Sequence, residues 1–523
     1  MILKNLIVAL TIILILRSLW NIAILRDNLK WLFSYKSKHN VIDTDILPMV
    51  NICIPVLREQ SVISETIKYF STLNYPKNKF KLFTVTTEKE NFEKEVNRKK
   101  LFSLAKDLST DISFDKIINK YLGLFPSVSF EYIYKSFTNK KFELIIDELN
   151  KYYDSYPTTY DIISEEIEAL NTTETCFIEN IHYPYLNKTV TDQFNYAIKN
   201  ICKSSEDELI VFYNADSRPN LDTLLVVANE RLEFEKKHGK KPKVVQQSSI
   251  FTLNYNTFKN SLSGYVLKAA SIYQTRWTLI HEFYMFRKQS RVATLERNKL
   301  KDRIVNNQIS HCVAHGLFVD LEHMKSVGGF PSDTLNEDLP FGYYTCCLGE
   351  SILPIRLIEN SHSPETIKSL VNQKKVWFSP YYEYLKCRRN VIKNMKYRDL
   401  IEVNIITLQA LIIGICWFFQ SAIFISIPLY LIFKFDLYIL IMYILGLFLY
   451  WYLPATIIYN NLYNLEKNVI KEASNTNFMN TQIVILSGLL NIFLNSLGPI
   501  LCSWEYVMLV VFKKQIIKLK TER

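Results

Sequence analysis

Residues 50–87, VNICIPVLREQSVISETIKYFSTLNYPKNKFKLFTVTT, decide the fold. VNICIPVL (50–57) and FKLFTVTT (80–87) are short, apolar and β-branched, the pattern of buried strands. SVISETIKYFSTLNYP between them reads as a helix. Ser61 or Ser64 is placed to cap its start, and Pro76 follows its end. Two strands joined by a helix form a β-α-β unit, which implies a parallel sheet. Working outward, ELIVFY (208–213) gives another strand, closed by the polar turn NADSRPN, and KVVQQSSIF (243–251) gives one more. Residues 88–180 differ. They hold long polar helical patterns such as NFEKEVNRKKLFSLAKDL and no obvious strand run, and so read as a largely helical insertion. The fold class is therefore α/β, with a Rossmann-like sheet.

The mean hydropathy of the 523 residues is +0.02, an average of two populations. Residues 403–433, 437–465 and 473–504 carry no charged side chain, whereas 85–120 are charged at about every third position. The apolar fraction, 49%, excludes a disordered chain. Nine scattered cysteines without a CxxC exclude a zinc module and fit a reducing compartment. The net charge is +11, and part of it flanks the apolar stretches: KKQIIKLKTER at 513–523, and Lys386, Arg388, Arg389, Lys393, Lys396 and Arg398. Basic residues in such places mark the cytoplasmic side of a membrane and attract anionic headgroups. No nucleic-acid motif accompanies them, so nucleic acid is not among the expected partners.

The first residues, MILKNLIVALTIILILRSLWNIAIL (1–25), read as a membrane anchor. A secretory signal is the competing reading, but no A-x-A-like site follows. Arg17 ends an uncharged run that begins at Asn5, short of the ~20 residues that span a bilayer, so spanning requires Lys4 and Arg17 to snorkel to opposite faces. Arg26, Lys30, Lys36 and Lys38 place the following domain in the cytoplasm. At the other end, 403–433 reads as one long span or as an interfacial helix followed by a span. Residues 437–459 read as a second span. Residues 483–512 read as a third apolar stretch, re-entrant or bent at Gly498-Pro499. The domain reading is 1–25 anchor; 45–390 catalytic domain with the 88–180 insertion; 391–523 interfacial helix, membrane region and basic tail. The location is the cell membrane, multi-pass.

Candidate chemistry lies at the strand ends, where ligands bind in doubly wound sheets. Pro55 and Glu59 close the first strand; Glu59 is placed to accept from a base or ribose, or to stand as a solvated loop carboxylate. Lys188 precedes a helix and has the charge to pair with a diphosphate, or is a surface lysine. Asn214 and Asp216 follow a strand two residues apart and offer oxygens to Mg²⁺ or Mn²⁺ together with phosphate oxygens; an Asx turn is the plainer reading. Glu337 and Asp338 open a helix-like run, and Asp338 there serves as an N-cap or as a general base for an acceptor hydroxyl. Gln373 and Trp377 in QKKVW can bond and stack on a sugar, or anchor at an interface.

In order and spacing, PVLRE (55–59), YNADSRP (213–219), VVQQ (244–247), HGLFV (315–319), VGGF (327–330), NEDLPFG (336–342) and QKKVW (373–377) resemble one family. It is the membrane-bound, family-2 type inverting glycosyltransferases of GT-A fold, which include cellulose, hyaluronan, capsule and β-glucan synthases and the ceramide glucosyltransferases. The resemblance covers roughly residues 50–380 without 88–180. It implies that Glu59 and Glu88 lie near the nucleotide, that Asp216 holds the metal, that Asp338 is the base, and that Gln373 and Trp377 frame the acceptor. The chain departs from the family at Asn214, which stands where the first aspartate of D-x-D is found, and at Val376, which replaces the arginine of Q-x-x-R-W; Lys374 and Lys375 are adjacent to it.

The function so implied is transfer of a sugar from a UDP-sugar, best UDP-glucose, to a growing cell-surface polysaccharide. Transfer of one sugar to a membrane lipid is the alternative. An inactive scaffold or transport partner is the reading from another class.

Overall fold

The computed structural model describes residues 2–512 apart from 35–43, 111–112, 122–123, 126, 139, 171–175, 187–188, 293, 296–298, 333 and 466–477. The basic tail at 513–523, Lys36 and Lys38 lie outside the described residues. The chain opens with α1 (Ile2–Phe33). It divides into two compact units, one of residues 48–216 and one of residues 1–47 with 217–523.

The unit 48–216 is built on four parallel strands: β1 (Met49–Pro55), β2 (Phe80–Thr87), β3 (Phe177–Tyr183) and β4 (Glu208–Phe212), in spatial order β3-β2-β1-β4. The β1–β2 crossover is α2 (Ile63–Ser71), which buries Ile63, Ile67 and Phe70. No side chain caps its start at Val62, so neither serine plays the part read for it; Ser64 Oγ donates instead to Glu166 at 2.5 Å. Six helices then run from Glu88 to Leu170: α3 (Glu88–Arg98), α4 (Leu101–Leu108), α5 (Phe114–Tyr121), α6 (Ser127–Phe137), α7 (Phe142–Ser155) and α8 (Thr159–Leu170). Leu104, Ile117, Phe130, Ile133, Ile145 and Leu149 give the insertion a core of its own. The segment that reads as helical to residue 180 ends instead in strand β3. Glu179 and His182 break its apolar run because it lies at the end of the strand order, where only one face is buried. Helix α9 (Val190–Asn200) leads to β4, its start closed by a capping box between Thr189 and Asp192.

The unit that continues from Ser217 mixes a small sheet with long apolar helices. Its elements are, in order, α10 (Thr223–His238), β5 (Val244–Gln246), β6 (Ser249–Ile250), α11 (Leu262–Trp277), a π turn at Thr278–Glu282, α12 (Phe283–Val292), α13 (Leu300–Val305), β7 (Leu317–Asp320), α14 (Leu321–Ser326), α15 (Asp338–Cys347), β8 (Ile352–Pro354), β9 (Glu359–Asn360), α16 (Ile367–Phe378), α17 (Pro380–Asn394), α18 (Leu400–Phe433), α19 (Leu437–Leu447), a π turn at Phe448–Tyr452, α20 (Leu453–Leu465) and α21 (Phe478–Phe512). β5 pairs antiparallel with β7 and parallel with β8, while β6 pairs parallel with β9. The single strand read over 243–251 is thus two. At the break, Gln247 N–H donates to Gly316 O at 2.8 Å and the chain passes to a new partner.

Among the described residues, four segments are long and apolar enough to cross a membrane: Lys4–Phe33, Leu400–Gln420, Leu437–Leu462 and Asn480–Leu509. α18 is one continuous helix over the stretch read as one long span or as an interfacial helix followed by a span. α21 runs unbroken through Pro499 rather than turning back there. Ser503 Oγ donates to Pro499 O at 2.6 Å. A Cβ on Gly498 would lie 2.5 Å from the Cβ of Lys374, so that glycine is where α16 comes closest. Trp451 is buried in the bundle core with Phe283, Ile280, Leu25 and Ile485, and its Nε1 donates to Ile485 O at 2.6 Å.

Gly488 tests this packing, since a Cβ there would sit 2.0 Å from Trp451 Cζ2. Overpacking costs about 1–3 kcal/mol, so Gly488→Ala should lower the unfolding temperature of the detergent-solubilised protein. An unchanged melt would contradict the contact.

Candidate active site

In the unit 48–216 the chemistry gathers at the carboxyl ends of the four strands. β1 and β4 pair from Met49–Glu208 to Cys53–Phe212, and Tyr213 N–H donates to Cys53 O at 3.1 Å, so Asn214 leaves the sheet level with Pro55. Asn214 and Asp216 are both half-buried and flank buried Ala215. The carbonyl of Ala215 accepts from Thr66 Oγ1 on α2, which fixes the turn. The loop after β1 is held by a carboxylate the motif reading passed over. Buried Glu90 accepts from Arg58 N–H at 3.1 Å, Gln60 Nε2 at 2.8 Å and Thr159 N–H at 2.9 Å. This supports Arg58 at φ +58°, a costly conformation for a residue with a side chain. Glu59 sits in that loop, its N–H donating to Thr159 Oγ1 at 3.0 Å.

Glu88 stands one residue past β2, and its carboxylate lies 3.1 Å from His182 Nε2 at the end of β3. Thr86 Oγ1 holds the other ring nitrogen at 3.0 Å. The β2–β3 register that pairs Thr86 with His182 creates this contact between residues far apart in sequence. Lys188 lies outside the described residues. Among the described residues no group of three or more His, Cys, Asp or Glu is placed to hold a metal. Asn214 and Asp216 supply only two side-chain ligands. This is an all-oxygen donor set that suits Mg²⁺ or Mn²⁺ when a ligand's phosphate oxygens complete it.

The second constellation belongs to the unit 1–47 with 217–523. Asp338 is the first residue of α15, and Glu337 precedes it. Asn336 Oδ1 accepts the Leu339 N–H at 3.1 Å and so shares the capping role. Asp338 uses its Oδ1 on that same N–H at 2.7 Å, and its Oδ2 accepts from Ala314 N–H at 2.9 Å. Burial and the neighbouring Glu337 charge push the Asp338 carboxyl up to about 6, against the pull of those two N–H groups.

The 313–316 segment that delivers the Ala314 N–H is fixed by fully buried Gln246. Its Oε1 accepts from Val313 N–H at 3.0 Å, and its Nε2 contacts the carbonyls of Gln247, Val313 and His315 at 2.9–3.2 Å. VVQQ, HGLFV and NEDLPFG, scattered over 244–342, thereby become one structure. Gly342 makes it possible, because a Cβ there would lie 2.4 Å from Cys312 N. His315 is buried between Ser249 Oγ (2.9 Å) and Glu359 Oε2 (3.3 Å); burial alone would lower its pKa, but the Glu359 carboxylate prevails and raises it.

Gln373 and Trp377 stand one turn apart on α16. Trp377 is half-buried, and Gln373 Oε1 is buried with no hydrogen-bond partner among the described residues. Lys374 Nζ lies 3.7 Å from the centre of the Trp377 ring, and burial pushes its pKa well down. Lys375 pairs with Glu505 of α21 at 2.8 Å. Both lysines of QKKVW are thus engaged within this unit.

No family model and no curated protein matches the sequence. Among solved structures, the mannosyltransferase PcManGT of Pyrobaculum calidifontis, in complex with GDP-Man and Mn²⁺, is similar at 12% identity and TM-score 0.39, covering 88% of this chain and all of that one. TarS 1–349 of S. aureus is similar at 11% identity and TM-score 0.31, covering 86% and 90%; its complex with UDP-GlcNAc gives 12% and 0.31. Scores this low do not establish a shared fold.

The raised Asp338 pKa has a signed consequence for stability. A carboxyl held at about 6 rather than at its ordinary 3.8 stabilises the fold at low pH, and that contribution is lost as pH rises through about 6. Asp338→Asn should therefore melt higher than wild type at pH 8 and close to it at pH 4. A lower melt at pH 8 would show that the charge is favoured where it stands.

Proposed function

We propose that this protein is an integral-membrane, inverting glycosyltransferase that uses a nucleotide-diphosphate sugar. The observation that carries the reading is Asp338, a half-buried carboxylate at a helix start, held by two backbone N–H groups, with its pKa lifted toward neutrality. The strand-end set in the other unit, Pro55, Glu59, Glu88, Asn214 and Asp216, supports a diphosphate-sugar donor. The four apolar helical segments support an acceptor or product that belongs to the membrane.

In this reading the acceptor hydroxyl attacks the anomeric carbon of the donor. Asp338 takes the hydroxyl proton as the new C–O bond forms, Glu337 keeps the base poised near neutrality, and the C–O bond to the diphosphate breaks on the opposite face, releasing the nucleoside diphosphate. Inversion yields a β-linkage from an α-linked donor. Asp216 and Asn214 would hold Mg²⁺ or Mn²⁺, which when bound offsets the charge gathering on the diphosphate. Gln373 and Trp377 frame the acceptor. UDP-glucose is the proposed donor and a growing cell-surface polysaccharide the proposed acceptor. A membrane lipid receiving one sugar is the second reading, and it is favoured by a largely apolar cavity that Leu339 lines.

The test is incubation of membranes with a panel of radiolabelled UDP-sugars, with products sorted by size and lipid solubility. Labelled polymer supports the first acceptor, and a monoglycosylated lipid alone supports the second. Asp338→Asn should lose about 10²–10⁴-fold in transfer; unchanged product would leave the inactive scaffold as the better account. The base works deprotonated, so the rate should climb with pH through about 6, and Glu337→Gln should shift that limb to lower pH. EDTA should abolish transfer and Mg²⁺ or Mn²⁺ restore it, whereas full turnover in EDTA would remove Asp216 from the metal role.

A further inference from the structure

The transfer reading leaves α13 without a part to play. This helix presents Leu300, Ile304 and Val305 at 58%, 52% and 63% exposure. Leu300 and Ile304 stand one turn apart, so they share a face. No residue of α13 is buried, and six residues are too few to hold a helix in water by themselves. Its place is fixed by the start of α18. Arg303 pairs with Asp399, the N-cap of α18, at 2.9 Å. Asn307 Nδ2 donates to Glu402 O at 3.3 Å, Ile309 N–H donates to Gln409 Oε1 at 2.9 Å, and Gln409 Nε2 donates to Asn307 O at 3.0 Å. The chain that leaves α13 thus runs along α18 from Glu402 to Gln409.

That attachment sets the depth of α13. α18 has 34 residues and a length of about 51 Å, whereas the hydrocarbon core of a bilayer is about 30 Å thick. Asp399, Glu402 and Asn404 keep its first turns at the headgroup level, and α13 is bound to those turns. Arg388 Nε donates to Asn404 Oδ1 at 2.8 Å, which ties α17 to the same level. The free charge there is of one sign among the described residues. Lys299, Lys301, Lys386, Arg389 and Lys393 are exposed. Of the carboxylates, Asp399 pairs with Arg303, Asp302 accepts the Lys299 N–H at 3.3 Å, and Glu402 is buried. Apolar side chains bordered by cations suit a layer in which the former dip below the phosphates and the latter pair with them.

We propose that α13, with the cations of α17, is a foot that docks on anionic lipid headgroups beside α18. A bilayer surface is the occupant because the apolar face continues directly from a helix long and apolar enough to enter the bilayer, and because the bordering charge is basic. Further along, the same chain delivers the Ala314 N–H to Asp338, so the foot also fixes the height of that carboxylate above the membrane. The docking itself stands without the transferase reading.

The test places a fluorophore on the foot. Val305→Cys is made together with Cys202→Ser and Cys416→Ser, which remove the two exposed thiols, and is labelled with the environment-sensitive dye NBD. The full chain is reconstituted singly in nanodiscs of phosphatidylcholine, with or without phosphatidylglycerol, and with or without lipid that carries a doxyl quencher near the headgroup. The label should emit at shorter wavelength and be quenched in the phosphatidylglycerol discs, and less so in phosphatidylcholine alone. Each cation near an anionic surface is worth roughly fivefold, so Lys299→Gln with Lys301→Gln should lower the docked-to-undocked ratio about 30-fold, and Lys299→Arg with Lys301→Arg should keep it. Raised salt should act as the glutamine pair does. Val305 and both lysines are exposed, so these changes leave the core untouched. Equal quenching with and without phosphatidylglycerol, or undiminished quenching in the glutamine pair, overturns the proposal. A label unquenched in every disc also overturns it and leaves the face to a protein partner.

Discussion

A single side-chain amide organises the surroundings of Asp338. Gln246 is fully buried and has both ends of its amide committed to the backbone of 313–316 and to the break between β5 and β6. An amide buried without partners would cost about 1–3 kcal/mol for each polar atom, so the arrangement holds only when the 313–316 segment is in place. That segment aims the Ala314 N–H at Asp338, and Gly342 lets α15 approach closely enough to receive it. Loss of the amide would free the loop, and loss of the loop would leave Asp338 with only the N–H of its own helix.

The unit 48–216 depends on a comparable device. Buried Glu90 gathers four donors from the loop after β1 and from the start of α8. The helical insertion therefore does more than decorate the sheet, because its last helix helps set the loop that carries Glu59. The unit that continues from Ser217 holds the opposite case. Arg276 is 2% exposed and finds the face of the Tyr450 ring, 4.4 Å from its guanidinium carbon, in place of an acid.

The departures at Asn214 and Val376 acquire different weights from the fold. Asn214 keeps an oxygen at the end of β4, level with Pro55, where a carboxylate would also stand. Around Val376, by contrast, Lys374 lies over Trp377 and Lys375 is paired with Glu505, so the local cations are spent on packing and on α21.

Hydropathy and strand patterning were enough to find β1, α2, β2 and the uncharged stretches, because burial on both faces and immersion in lipid each leave a continuous apolar signature. The carboxylate at 338 and the pair at 214 and 216 were visible as polar residues directly after strands or before a helix. β3 escaped because an edge strand with Glu179 and His182 loses that signature. Glu90, Gln246 and Arg276 also escaped, each an ordinary polar residue in sequence. Their importance comes from what surrounds them after folding: backbone donors for Glu90, backbone carbonyls for Gln246, and the Tyr450 ring for Arg276. The sequence by itself determined β1, α2, β2, β4 and the long apolar segments. Only the tertiary structure decided which polar groups are buried together, because burial and hydrogen-bond partnership are properties of residues distant in the chain.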